Sequence, residues 1–132
     1  MRYMMLVYST EPPDGVKPEE AERIRSGHMR VMNDATDRGI LIAADPLAPT
    51  TMATTVRMQN GKALVTDGPF AETKEHLAGY YILECENLDE AIDWATRIPT
   101  ECHGAAGCIE IRPLRAVPRP ADSERDPMRV PA

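Results

Sequence analysis

Long apolar runs are missing from this sequence, and so are a basic surplus, a closed set of cysteines and any convincing cluster of metal ligands. A membrane-spanning helix takes roughly 20 consecutive apolar residues. Although 42% of the 132 residues are hydrophobic, charged residues (27%) and prolines interrupt every stretch before that length. The expectation is a single water-soluble domain with no membrane partner. A formal charge of -6 and a pI near 5.0 argue against nucleic acid, whose binding is driven by lysine and arginine displacing counterions. The three cysteines, Cys85, Cys102 and Cys108, are odd in number and form no closed disulfide framework. Free thiols fit a reducing compartment, so the cytoplasm is the expected location. "CHGAAGC" at 102–108 has a Cys-x5-Cys spacing that matches no common zinc pattern, and it reads as a glycine-rich loop running into a strand. Neither a metal nor any other cofactor is expected.

What is present is strongly patterned. "RYMMLVY" at 2–8 is an apolar run of strand length, and "STEPPDG" after it is dense in turn formers. The start "MRYMMLVYSTE" meets acids and prolines within a few residues and has no small-residue cleavage site, so it reads as a strand and not as a signal peptide. From Pro18 the apolar positions fall at steps of three and four through Ala21, Ile24, His28, Val31, Met32 and Ala35. Proline at the start and Gly39 past the end frame a long amphipathic helix. "ILIAA" at 40–44 is a second strand, stopped by "DPLAP". Asn60-Gly61 between "TTVRMQ" and "KALVT" predicts a two-residue hairpin turn that pairs Gln59 with Lys62 and puts Val56, Met58, Ala63 and Val65 on one face. "AGYYILECE" at 78–86 is another strand, with Tyr81, Leu83 and Cys85 on one side and Tyr80, Ile82 and Glu84 on the other. Asn87 can cap a second helix striped by Leu88, Ala91, Ile92 and Ala95, with Pro99 as its stop, and "GCIEIRP" at 107–113 is the last strand.

The order is β-α-β, a hairpin, then β-α-β: an α+β, ferredoxin-like plan with an inserted hairpin. Two helices cover one sheet face. The other face must line a ligand cavity or be buried against a second copy, so a homodimer is expected. Residues 116–132 have frequent proline and little apolar pattern, and an extended or disordered tail is expected there.

Five segments carry a family resemblance: "RYMMLVY", "DGPFAETKE" at 67–75, "GYYILE" at 79–84, "LDEAIDWA" at 88–95 and "EIRP" at 110–113. Together they resemble the YCII-related proteins of the DGPF-motif branch, over about residues 1–115. The resemblance implies a ferredoxin-like subunit that pairs sheet to sheet in the dimeric α/β-barrel manner. A few relatives in the wider group are lyase-type enzymes on small aromatic breakdown products, thought to use a His and Asp pair. DGPF proteins also often accompany, or are fused to, alternative sigma factors. No sigma-factor region is present here, so any regulatory link would act through a partner.

The candidate residues follow from both lines. His28 lies on the apolar stripe of the first helix. It is either a core histidine satisfied by one hydrogen bond or an acid/base group, since an imidazole titrates near neutral pH. Asp67 fits an Asx-type turn before Gly68-Pro69, or else it partners His28 as the resemblance implies. Glu72, Lys74 and Glu75 read as a solvated or intersubunit salt-bridge cluster or as ligand contacts. Phe70 reads as a packing anchor for its loop. Glu72 and His76, four apart, could join His28 on a metal only if that segment were helical. Arg57 offers a fork for an anion or a carboxylate, and Tyr8 and Tyr80 offer phenolic donors. The expected site is a cavity between the sheet, the first helix and the "DGPF" loop. It would bind a small polar or carboxylate-bearing metabolite, with cofactor-free proton transfer of lyase or isomerase type by His28 and Asp67 and contacts from Tyr8, Arg57, Phe70, Glu72, Lys74 and Tyr80. The competing expectation is a non-catalytic ligand-sensing or protein-interaction module, linked to sigma-factor regulation.

Overall fold

The computed structural model describes residues 1–100 and 107–116. Strand β1 runs Arg2–Ser9, helix α1 Pro18–Asp37, β2 Leu41–Pro46, β3 Thr54–Gln59, β4 Lys62–Asp67, β5 His76–Glu84, α2 Leu88–Ala95 and β6 Cys108–Pro113, with a short 3-10 turn at Thr50–Met52. Four strands form one sheet in the order β2-β5-β1-β6, every neighbouring pair antiparallel, while β3 and β4 form a separate two-stranded sheet. This α+β arrangement, an antiparallel sheet with two helices, is consistent with the ferredoxin-like plan.

Local chemistry explains the element ends. Pro18 stands in the first turn of α1, where its missing N–H costs nothing, and Glu19 and Glu20 complement the positive end of the helix. Gly39, at φ +72°, lets the chain leave the helix. Asn87 caps α2 by accepting a hydrogen bond from the Glu90 N–H at 2.9 Å, and the Glu90 carboxylate accepts in turn from the Glu86 N–H at 2.8 Å. Asn60 and Gly61 both have positive φ, 52° and 77°, and the resulting turn pairs Gln59 with Lys62. β5 begins two residues earlier than the alternation predicts, at His76, because His76 and Leu77 still pair with Ser9 and Tyr8 across a bulge in β1.

One face of the sheet makes the core. Tyr3, Met5 and Val7 of β1 and Tyr81 and Leu83 of β5, with Cys85 just beyond it, are buried against Val31 and Ala35 of α1, Ala91 and Trp94 of α2, and Ile98. The helices are joined at their outer edge by Asp34, which accepts from Arg97 at 2.5 Å and faces Arg38 at 3.4 Å; both guanidinium groups lie over the Trp94 ring. The Arg97 hydrogen bond holds the Asp34 carboxyl below its usual range. Alternate residues turn to the opposite face: Met4, Leu6 and Tyr8 of β1, and Tyr80 and Ile82 of β5. They are half-buried, and no helix of the described residues covers them. All but the first residue of the tail predicted at 116–132, and most of the "CHGAAGC" loop, lie outside the described residues. Of the cysteines that are described, Cys85 and Cys108 are free.

Candidate functional site

The helical period of α1 puts Ile24, His28 and Met32 on one stripe, and that stripe looks onto the sheet. On β5 the same alternation that buries Leu83 also presents Tyr81 to the helices. The two polar groups therefore meet inside an otherwise apolar layer: His28 Nδ1 and the Tyr81 hydroxyl are 2.6 Å apart, and the rings stack at 5.9 Å between centroids with 23° between planes. Burial pushes the His28 pKa below that of a free imidazole and raises the Tyr81 pKa to about 12. Both groups are thus neutral at pH 7. The hydroxyl can donate to a bare Nδ1 or accept from an Nδ1–H, so it satisfies either neutral tautomer of His28.

This pair stands in the wall of a cavity of about 980 Å³ between α1 and the ends of β1, β2 and β5. Its lining is mainly apolar and includes Val16, Ile24, Met29, Met32, Leu47 and Pro49. Gly79 belongs to the wall because β2 and β5 come so close there that a Cβ would lie 2.9 Å from the Asp45 carbonyl. Near the margin the Tyr80 hydroxyl donates to Asp45 Oδ2 at 2.9 Å, and that hydrogen bond and charge raise the phenol's pKa. A second polar contact braces the rim. Glu11 accepts from both the N–H and the hydroxyl of Thr50, at 2.9 and 2.6 Å, and so ties the loop after β1 to the connection after β2. These hydrogen bonds hold the Glu11 carboxyl below its usual range.

Of the residues expected from sequence, His28 and Tyr80 line the cavity. The other candidates stand apart from it. Asp67 ends β4 opposite Thr54 and is exposed, and the ring-nitrogen partner of His28 is Tyr81. The "DGPF" stretch closes the root of the β3–β4 hairpin: Gly68, at φ +99°, donates its N–H to the Ala53 carbonyl at 2.7 Å and accepts from the Thr55 hydroxyl at 2.8 Å. Phe70, expected to anchor the loop by packing, is instead 77% exposed, because the turn at Gly68 directs the chain away from the core. Glu72 and Lys74 are exposed and form no ion pair among the described residues, while Glu75 accepts from the Cys108 thiol at 3.7 Å. Arg57 is exposed on the hairpin, and Tyr8 is half-buried on the open sheet face. Residues 72–75 are irregular and His76 opens β5, so Glu72 and His76 lack the helical spacing that joint ligation required. Among the described residues no three His, Cys, Asp or Glu gather as a metal site.

The sequence reading missed Tyr81 as the partner of His28, and the Pro46, Leu47 and Pro49 wall that "DPLAP" builds. The signal for Tyr81 was there: one polar group stands on each of two apolar stripes that the topology sets face to face.

A profile of the YCII-related domain matches residues 1–117, which is nearly the whole chain. The chain belongs to the YCII-related family. It is also similar to an uncharacterised protein of Rhizobium meliloti (strain 1021), 39% identical over 115 residues that cover 86% of this chain and 92% of that one. No helix of the described residues is long and apolar enough to cross a membrane.

Proposed function

We propose that this YCII-related protein belongs to the DGPF branch, a reading its "DGPFAETKE" stretch supports, and that it binds a small metabolite in the α1–sheet cavity and acts on it by cofactor-free proton transfer of lyase or isomerase type. The observation that carries this reading is the His28–Tyr81 hydrogen bond of 2.6 Å in an apolar wall. An imidazole whose pKa is lowered by burial is unprotonated at neutral pH and ready to take a proton. A proton taken at Nε2 requires the other one at Nδ1, where the Tyr81 oxygen accepts it. Tyr81 is thus a positioning residue that holds the ring through both halves of a transfer. The lining revises the ligand class: an apolar or aromatic body fills the cavity, with a single polar or carboxylate head toward His28.

The unit is proposed to be a cytoplasmic homodimer, with the open sheet faces of two copies packed together. A second reading keeps the cavity but not the turnover. It is favoured by the position of Asp67, which leaves His28 without the carboxylate partner that the family resemblance implied, and it makes the protein a ligand sensor, with a sigma-factor-linked partner as its output.

The test begins with a thermal-shift screen of small aromatic and aliphatic carboxylates. His28→Gln keeps the size and one hydrogen bond but cannot exchange protons near neutrality. Enzyme action predicts that the variant still binds a hit while conversion, followed by chromatography, is abolished. Binding of a hit by both proteins with no conversion by the wild type would establish the sensor instead, and no hit at all would remove the cavity as a site.

A further inference from the structure

The wall that α1 gives the cavity is a stripe of residues at helical steps of three and four: Ala21, Ile24, Arg25, His28, Met29 and Met32. Four of them are apolar, and burial keeps His28 neutral at pH 7. Arg25 is therefore the one charge that the helix brings to the cavity, and it is the only lysine or arginine among the described residues of the wall. The other charged residue there, Asp45, is differently placed. It pairs in register with Tyr80, and its carboxylate accepts from the Tyr80 hydroxyl, on the sheet face that turns away from α1.

Arg25 is held only loosely where it stands. Its Nη1 donates to Glu22 Oε2 at 2.8 Å, in an i,i+3 pair whose side chains are 69% and 64% exposed. A solvent-screened pair of this kind binds its partners weakly, so little is lost when one carboxylate replaces another. The guanidinium has five N–H donors in a fork that matches a carboxylate at two points, and the Glu22 contact leaves most of them for a second partner. Ala21 and Met29, four residues to either side, offer an apolar bed for the arginine stem while the exposed head stays at the cavity mouth.

Electrostatics decide which head group suits this mouth. A carboxylate that leaves water for an apolar cavity needs a compensating charge. His28 and Tyr81 offer hydrogen bonds but no charge, whereas Arg25 offers the charge one helical turn away, about 4.5 Å along the axis from His28. We infer that Arg25 is the specificity-determining residue of the cavity: it selects ligands that carry a carboxylate by exchanging Glu22 for that group, while the apolar body lies inward against Ile24, Met29, Met32 and the His28 ring. The inference rests on the cavity-ligand reading above and narrows its polar or carboxylate head to a carboxylate. It also divides the labour along one helix face, with Arg25 setting which molecules are held and His28 acting on what is held.

Isothermal titration calorimetry of the full chain at pH 7 tests this with matched acids and amides, 3-phenylpropanoate against 3-phenylpropanamide and hexanoate against hexanamide. The wild type should bind each carboxylate roughly tenfold or more tightly than its carboxamide, as a charge-assisted bond at two points provides. Arg25→Gln, at an exposed position, should keep the wild-type melting temperature and lower carboxylate affinity roughly tenfold or more, while carboxamide affinity stays within about twofold. Arg25→Lys keeps the charge and loses the fork, so it should fall between the two. Glu22→Gln removes the competing carboxylate and should raise carboxylate affinity about two- to threefold. Carboxylate affinity unchanged in Arg25→Gln would overturn the inference and leave the cavity standing as a site. Equal losses for acid and amide would also overturn it, because the arginine would then act through its stem and not its charge. Binding of neither carboxylate to the wild type would overturn it together with the cavity-ligand reading.

Discussion

His28 and Tyr81 show how two single residues can carry a site when their surroundings are apolar. Each is polar on a buried stripe, and each satisfies the other, so neither exacts the cost of about 1–3 kcal/mol that an unpaired buried polar group imposes. Their pKa values give opposite pH limits. His28 has its folded pKa below the ordinary 6.5, so the unfolded chain takes up its proton first; stability is full above 6.5 and falls as pH drops below it. Tyr81 has its folded pKa raised from 10.0 to about 12, so its contribution is full below pH 10 and is lost as pH climbs toward 12. Glu11 and Asp34, with carboxyls held below 4.5 and 3.8, add their losses only in the more acidic range. Melting curves between pH 7 and 5 should therefore show a decline that His28→Gln flattens, while the steeper decline below pH 4.5 persists in the variant. Tyr81→Phe should shrink the alkaline limb between pH 10 and 12, leaving the Tyr80 contribution, and cost about 1 kcal/mol at neutrality, the worth of one buried hydrogen bond. If an activity is found, the same variant should move its pH profile while leaving ligand affinity nearly unchanged, which a purely structural tyrosine would not do. A melting profile of His28→Gln parallel to the wild type from pH 7 to 5 would show that the imidazole is not protected from protonation.

Among the elements, α1 comes close to Pro99, beyond the end of α2, at Gly27, one residue before His28. A Cβ there would lie 2.6 Å from Pro99 Cγ, and the proline ring cannot rotate out of the way. Gly27→Ala gains about 1 kcal/mol of helix propensity, but overpacking of this kind costs about 1–3 kcal/mol, so a net loss of up to about 2 kcal/mol is expected. Because Pro99 lines the cavity, the shift should also weaken binding of any cavity ligand. Chemical denaturation and the ligand screen check the two effects, and a Gly27→Ala protein more stable than the wild type would mean that the helix stands off from Pro99. Much at this scale was legible in the sequence. Asn60-Gly61 and Asn87 fix their turn and cap through backbone chemistry within four residues, and the α1 stripe through a period of 3.6. The cavity was only half legible. His28 announced itself as a polar break in an apolar stripe, whereas its meeting with Tyr81, 53 residues away, depends on which strand the topology sets under α1. Asp67 misled for a related reason: a carboxylate beside Gly-Pro is equally suited to a turn and to a site, and only the position of the hairpin root separates the two.

At the scale of the molecule, the sheet has one face committed to the helices and one that no helix of the described residues covers. Met4, Leu6 and Ile82 form the middle of that open face, and charged residues, Arg2, Glu84, Glu110 and Arg112, occupy its border. An apolar centre with a charged rim is the anatomy of a protein interface, and a single small sheet exposing it in water would be prone to association of some kind. The homodimer proposed above would be two-fold, because only a self-complementary contact ends growth at two subunits. The wild-type chain should therefore sediment as a dimer at micromolar concentration. Leu6→Asp, which puts a charge in the centre of the face and leaves the opposite, core-facing side of β1 untouched, should give a monomer with native Trp94 fluorescence. A Leu6→Asp protein that remains dimeric would place the seat of assembly elsewhere than the open sheet face.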